Sequence, residues 1–177
     1  MIGIPLGLLY SNMSEWVIHK YVLHGLGQNK KRPLWSFHWH EHHKNARMNE
    51  QRDPNYTKPP FKEWNAQSKE LLGLVGLAAV HLPLLPVAPF FTLTVWYCGI
   101  NYYRVHKRSH LDPEWGKKHV PWHVDHHMGP DQNTNWCVTK PWFDHVMGTR
   151  KPYIGTEKYE IDQQRRAARM DRAAVAG

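Results

Sequence analysis

Cysteine is nearly absent. The two in 177 residues, Cys98 and Cys137, are too few for a disulfide scaffold and lack C-x-x-C spacing, which argues against a thiolate zinc site. No glycine-rich motif for a flavin or nicotinamide is visible, so any redox chemistry must draw its electrons from a separate protein. The first residues show neither a basic n-region nor a small-residue cleavage site, so no cleavable leader is expected. Charge is missing over one long stretch: Leu71 to Tyr103 holds no Asp, Glu, Lys or Arg. Its 33 residues exceed the ~20 of one straight membrane span. Pro83, Pro86 and Pro89 break it in the middle. The expected structure is a helical hairpin, about 71–82 out and 88–105 back, whose first arm is too short for a full crossing. A hairpin buried in a soluble core is the alternative.

What is present in excess is positive charge, indole and imidazole. The formal charge is +8 with a pI of about 9.5, which suits nucleic acid or an anionic membrane surface. Nine tryptophans and eight tyrosines beside apolar runs favour the membrane, where amphipathic aromatics collect at the interface. Residues 2–23 read as a helix, apolar from Ile2 to Tyr10 and polar from Glu15 onward. This fits a half-inserted helix, or one whose upstream part lies outside this sequence. Gly25 and Gly27 end it. Lys30, Lys31, Arg32, Arg104, Lys107 and Arg108 are expected at headgroup level. Residues 34–49 carry no glycine or proline and read as a helix, and 50–68 as a loop. Breaks are expected at 111–113 and at Pro121, then a loop with a short terminal helix over 129–150. The fold class is all-α: a membrane-associated helical bundle with a hairpin and a cytosolic histidine-rich helical cap. Residues 1–150 form the domain, and 151–177 form a charged tail, frayed or disordered.

Fourteen histidines carry the functional signal. His19 and His24 form H-x4-H. His38, His42 and His43 form H-x3-H-H. His106 and His110 form H-x3-H, and His123, His126 and His127 form H-x2-H-H. Residues three or four apart share a helical face, so each of the last three elements can aim imidazoles at one ion. His19 and His24 are five apart, about 140° round an α-helix, and suit a metal less well. One tetrahedral zinc takes four donors at most, so ten imply two metal ions. All-imidazole ligation suits iron, zinc, copper or nickel. His40 is an alternative to His38. His119 is a partner of a ligand, part of a substrate cleft, or a surface residue. Glu41, Asp125, Asp144 and His145 are candidates to hold a ligand's outer nitrogen. His81, alone in the apolar hairpin, reads as a packing residue. Trp122 and the 129–135 turn are candidate walls of a ligand site.

In this order the elements resemble the membrane-bound fatty acid hydroxylase superfamily, which includes sterol desaturases and carotenoid ring hydroxylases. Glu15-Trp-Val-Ile-His19-Lys-Tyr-Val-Leu-His24-Gly is similar to the first box of β-carotene hydroxylases. Asn135-Trp-Cys-Val-Thr, Trp142-Phe-Asp144 and Gly148-Thr149 resemble the stretch after the last box of fatty acid hydroxylases and sterol desaturases. The resemblance covers roughly residues 10–152. The longer spacing of the second box and the small number of apolar helices depart from the family pattern. The resemblance implies a non-haem di-iron centre, with zinc as the other candidate metal, at the cytoplasmic face of an integral membrane protein. It implies O2-dependent hydroxylation or desaturation of a lipid, with electrons from a separate electron-transfer protein. A carotenoid ring hydroxylase, or a non-catalytic membrane metal-binding relative, are the alternatives. A nucleic-acid partner would explain the charge but not the histidine order.

Overall fold

The computed structural model describes residues 2–176. Every regular element among them is helical. Helix α1 (Gly3–Val17) runs without a break into a π-helical segment, Ile18–Leu26. Helix α2 (Pro33–Phe37) starts on a proline at its first position, where the missing N–H costs no hydrogen bond. It runs into a second π segment, His38–His43, and then into α3 (Lys44–Met48). The expected loop at 50–68 is only partly a loop. It contains a 3-10 turn, Pro54–Thr57, capped by the Asp53 side chain, and its last residues begin α4 (Ala66–His81). The Asn65 side chain caps α4 by accepting from the Ser68 N–H at 3.2 Å, a short-range polar signal.

The expected hairpin is present with longer arms: α4, a 3-10 turn at Leu82–Leu84, and α5 (Pro89–Leu111). The helix beyond α5 breaks where the prolines stand. Asp112 caps α6 (Pro113–His119), and α7 (Pro121–Met128) follows directly. A clamped loop, α8 (Trp142–Val146) and α9 (Glu157–Ala176) complete the chain, so the expected tail is helical over those residues.

Helix α1 lies along α5 so closely that a Cβ on Gly7 would fall 2.8 Å from Thr94 Cβ. The apolar clusters of the core are small: Trp16 with Trp136 and Cys137, and Val124 with Met128 and Tyr153. The interior between them is filled mainly by histidine rings. At the other end of the molecule the large apolar side chains face outward. Ile2 at the cap of α1, Leu6 and Leu9 of α1, Val75 and Val80 of α4, and Phe90 and Ile100 of α5 are all exposed. Among the described residues no helix is long and apolar enough to cross a membrane.

Candidate metal centre

The π segments decide how the histidines meet. A π turn bonds residue i to i+5, so residues five apart come onto one face. His19 and His24 span one such step, and their ring centroids lie 5.1 Å apart. His38 and His43 span another, at 4.8 Å. The 140° separation of His19 and His24 expected for an α-helix is therefore corrected: the local helix type removes it. Helix α7 brings His126 to these two pairs. Five buried histidines, His19, His24, His38, His43 and His126, form one group whose donor atoms lie within 4.8 Å of one another. His42, His106, His110 and His127 form a second. His106 and His110 are one α-turn apart on α5, and His42 points away from its neighbour His43. The groups abut, with the His43 and His127 rings 4.3 Å apart. His123 sits beside the second group, its Nε2 3.0 Å from His110 Nε2.

Seven of the rings are aimed by the outer nitrogen. His19, His126 and His110 donate from Nδ1 to the carbonyls of Trp136, Thr134 and Gln51, each at 2.6 Å. His42 donates to Asp53 at 2.7 Å and His106 to Glu70 at 2.5 Å. His43 donates to Gln132 Oε1 at 2.6 Å, and His24 to Asn133 Oδ1 at 3.4 Å. A neutral imidazole carries one N–H, so each of these rings keeps an unprotonated Nε2. Those Nε2 atoms point inward. His43 Nε2 lies 3.1 Å from His24 Nε2 and 3.0 Å from His126 Nε2. Three lone pairs thus converge with no proton between them, which is repulsive unless a cation sits among them. The separation is also the one a cation asks for: two nitrogens at ~2.1 Å from one ion and at right angles lie ~3.0 Å apart. In the second group, His42 Nε2, His106 Nε2 and both nitrogens of His127 are buried with no hydrogen-bond partner. Orphaned buried donors and acceptors are costly, and a metal satisfies them. Each of the two groups can hold a metal ion.

The surroundings keep nine of these rings neutral. Burial, aided by neighbouring rings, pushes His19 down to about 3 and His24 to about 2. Burial likewise holds His38, His43, His106, His110, His123, His126 and His127 well below the ordinary value of 6.5. A neutral imidazole is the form that binds a metal.

The remaining candidates lie elsewhere. Asp125 touches no ring; it pairs with Arg150 at 2.7 Å and accepts from the Ile154 N–H. Asp144 also touches no ring. It accepts from the N–H groups of Trp136 and Cys137, both at 2.8 Å, and so fixes the loop whose Trp136 carbonyl aims His19. Glu15 clamps the next residues by accepting from Val138 and Thr139. Glu41 bonds Asn55, Ala66 and Lys69, and His145 is exposed. His119 is exposed and stacked on Trp115, away from the cluster. His40 turns to the Gln28 carbonyl, and His38 is the one inside. His81 is buried and bonded to the Leu77 carbonyl and the Tyr10 hydroxyl. The carboxylates that do orient clustered rings, Asp53 and Glu70, were not among the sequence candidates. Asp53 stood beside a proline as an evident turn former, and Glu70 stood at the edge of the apolar run.

A cavity of about 560 Å³ leads from the apolar end to the histidines. Its walls come from α1, the first π segment, α2, α4 and α5, and include Ile18, Val22, Phe37, Leu77 and Val95. His19 and His38 of the first group and His42 and His106 of the second reach it. Trp122 and the 129–135 turn, expected as walls, are not among its lining. The Trp122 indole N–H instead donates to the Val138 carbonyl at 2.8 Å. No family model, curated protein or solved structure matches the chain.

Proposed function

We propose that this chain is a membrane-associated di-metal oxygenase of the fatty acid hydroxylase superfamily, and that it hydroxylates or desaturates a lipid. The observation that carries the reading is the cavity: an apolar chamber that touches rings of both histidine groups. Its volume lies within the ~300–1,000 Å³ usual for small-molecule sites. An alkyl C–H bond offers no acid–base handle, so the chemistry needs a metal able to activate dioxygen, and iron held by imidazoles supplies that. In this reading His19, His24, His38, His43 and His126 hold one ion. His42, His106, His110 and His127 hold the other, with His123 close enough to join them. The protein's own part is to aim these rings, to exclude water and to hold the substrate carbon beside them.

The exposed apolar side chains of α1, α4 and α5 favour a seat in a lipid leaflet, since a contiguous apolar surface of this kind marks a contact. Helix α4 has 16 residues, about 24 Å, which is less than the ~30 Å hydrocarbon core, so shallow insertion suits it better than crossing. The histidines would then lie at the cytoplasmic surface, where an electron-transfer protein can dock.

The test is to load the purified chain with ferrous iron and supply a reduced iron–sulfur protein, a membrane lipid extract and 18O-labelled dioxygen. A lipid carrying 18O, or one that has gained a double bond, is expected. A chain with two bound metals that leaves every lipid unchanged and consumes no dioxygen would instead be a non-catalytic metal-binding relative.

A further inference from the structure

Two glycines in the cavity wall stand where nothing packs against them. Gly73 of α4 and Gly99 of α5 both line the cavity, and a Cβ built on either meets no other group within 4 Å. They face a shared height. The Trp96 indole N–H donates to the Ala78 carbonyl across the hairpin at 3.0 Å. Continuing the antiparallel pairing from there sets Gly73 opposite residue 101, so the two glycines lie within about half a turn of one level. Glycine is the poorest helix former after proline, and neither position needs a backbone that only glycine adopts. Other helical glycines differ. Gly3 and Gly7 are pressed against α5, with added Cβ atoms 2.8 Å from Phe91 N and Thr94 Cβ. Gly76 has open space but is not part of the cavity wall.

We propose that Gly73 and Gly99 set the width of the cavity beneath the histidines and thereby select a wide apolar ligand, ring-bearing or branched, over a single straight chain. The inference rests on the reading that this cavity is the substrate site. Two missing side chains on the paired arms widen the cavity at this level, and wherever a narrow ligand leaves a gap it forfeits dispersion contacts. A side chain at either glycine would occupy that room. An added Cβ meets nothing at either position and leucine is a good helix former, so the substitution is expected to narrow the cavity while the hairpin stays folded.

The experiment uses the full chain in detergent. It is incubated with an equimolar pair of probes, a pyrene-tailed fatty alcohol and octadecanol, and the retained probes are measured by mass spectrometry after gel filtration. The wild type is expected to prefer the pyrene alcohol. Gly73→Leu and Gly99→Leu should each shift the ratio toward octadecanol by at least about tenfold, about 1.4 kcal/mol. Gly73→Ala and Gly99→Ala should shift it in the same direction by less, and Val75→Leu, on the outward face of α4, should leave it unchanged. Metal content and helicity, measured on the same samples, identify any variant that has not folded. The inference is overturned if folded leucine variants at Gly73 and Gly99 keep the wild-type ratio, if Val75→Leu shifts it equally, or if the wild type prefers octadecanol or retains neither probe. Binding needs no turnover. Failure of the oxygenase reading would therefore appear as a missing oxidised product with the binding pattern intact.

Discussion

His42 and His43 are adjacent in sequence and serve different groups, which shows how little one residue's spacing says without its partners. The histidine spacings marked the candidate donors because imidazoles three to five apart recur along the chain. They did not mark what aims the rings. Asp53, Glu70, Gln132 and the carbonyls of Gln51, Thr134 and Trp136 come from other elements. Asp125 and Asp144 stood near histidines in sequence but bind Arg150 and a loop backbone. A carboxylate that accepts a ligand's N–H fixes its tautomer and raises its basicity. Asp53→Asn and Glu70→Gln should each weaken metal binding about 10- to 100-fold while leaving helicity unchanged. Titration of the metal-free protein with ferrous iron or zinc checks this, and an unchanged affinity in both variants would show that the two carboxylates do not support metal binding.

At the scale of elements, the helix-type change is what sequence could not reveal. Residues 2–23 read as one helix; the chain is helical from Gly3 to Leu26, and the last nine of those residues are π-helical. Periodicity reports that a helix exists. It does not distinguish 3.6 residues per turn from the wider π turn, which tertiary contacts stabilise. The hairpin was legible because absent charge and three prolines are local signals. The start of α4 was not, because it lies in a polar stretch and depends on the Asn65 cap. Gly27, which closes the first π segment, is a position where the chain has no room. An added Cβ would lie 2.0 Å from the Leu23 carbonyl oxygen and 2.7 Å from that of Trp35. Gly27→Ala should therefore cost about 1–3 kcal/mol through forced backbone movement. It should also lower the metal content of the His19 group. Thermal melting and metal analysis of the purified variant test both effects.

For the whole molecule, burying so many imidazoles ties stability to pH. In the folded chain burial holds His38, His43, His106, His110, His123, His126 and His127 neutral well below 6.5, His19 to about 3 and His24 to about 2. In the unfolded chain they protonate near the ordinary value, so below ~6.5 the unfolded state binds more protons than the folded one. Stability from these groups is complete above that pH and is lost as pH falls from there toward about 3. The melting temperature of metal-free protein should hold between about pH 8 and 7 and drop steadily toward pH 5. A flat profile over that range would mean that the rings are solvated. The central claim, two metal ions held by two histidine groups, is tested most directly by counting metal in protein reconstituted with ferrous iron and freed of excess. Two ions per wild-type chain are expected, and about one in His43→Ala and in His110→Ala, since each removes one donor from a different group. One ion or none in the wild type, or two in both variants, would contradict it.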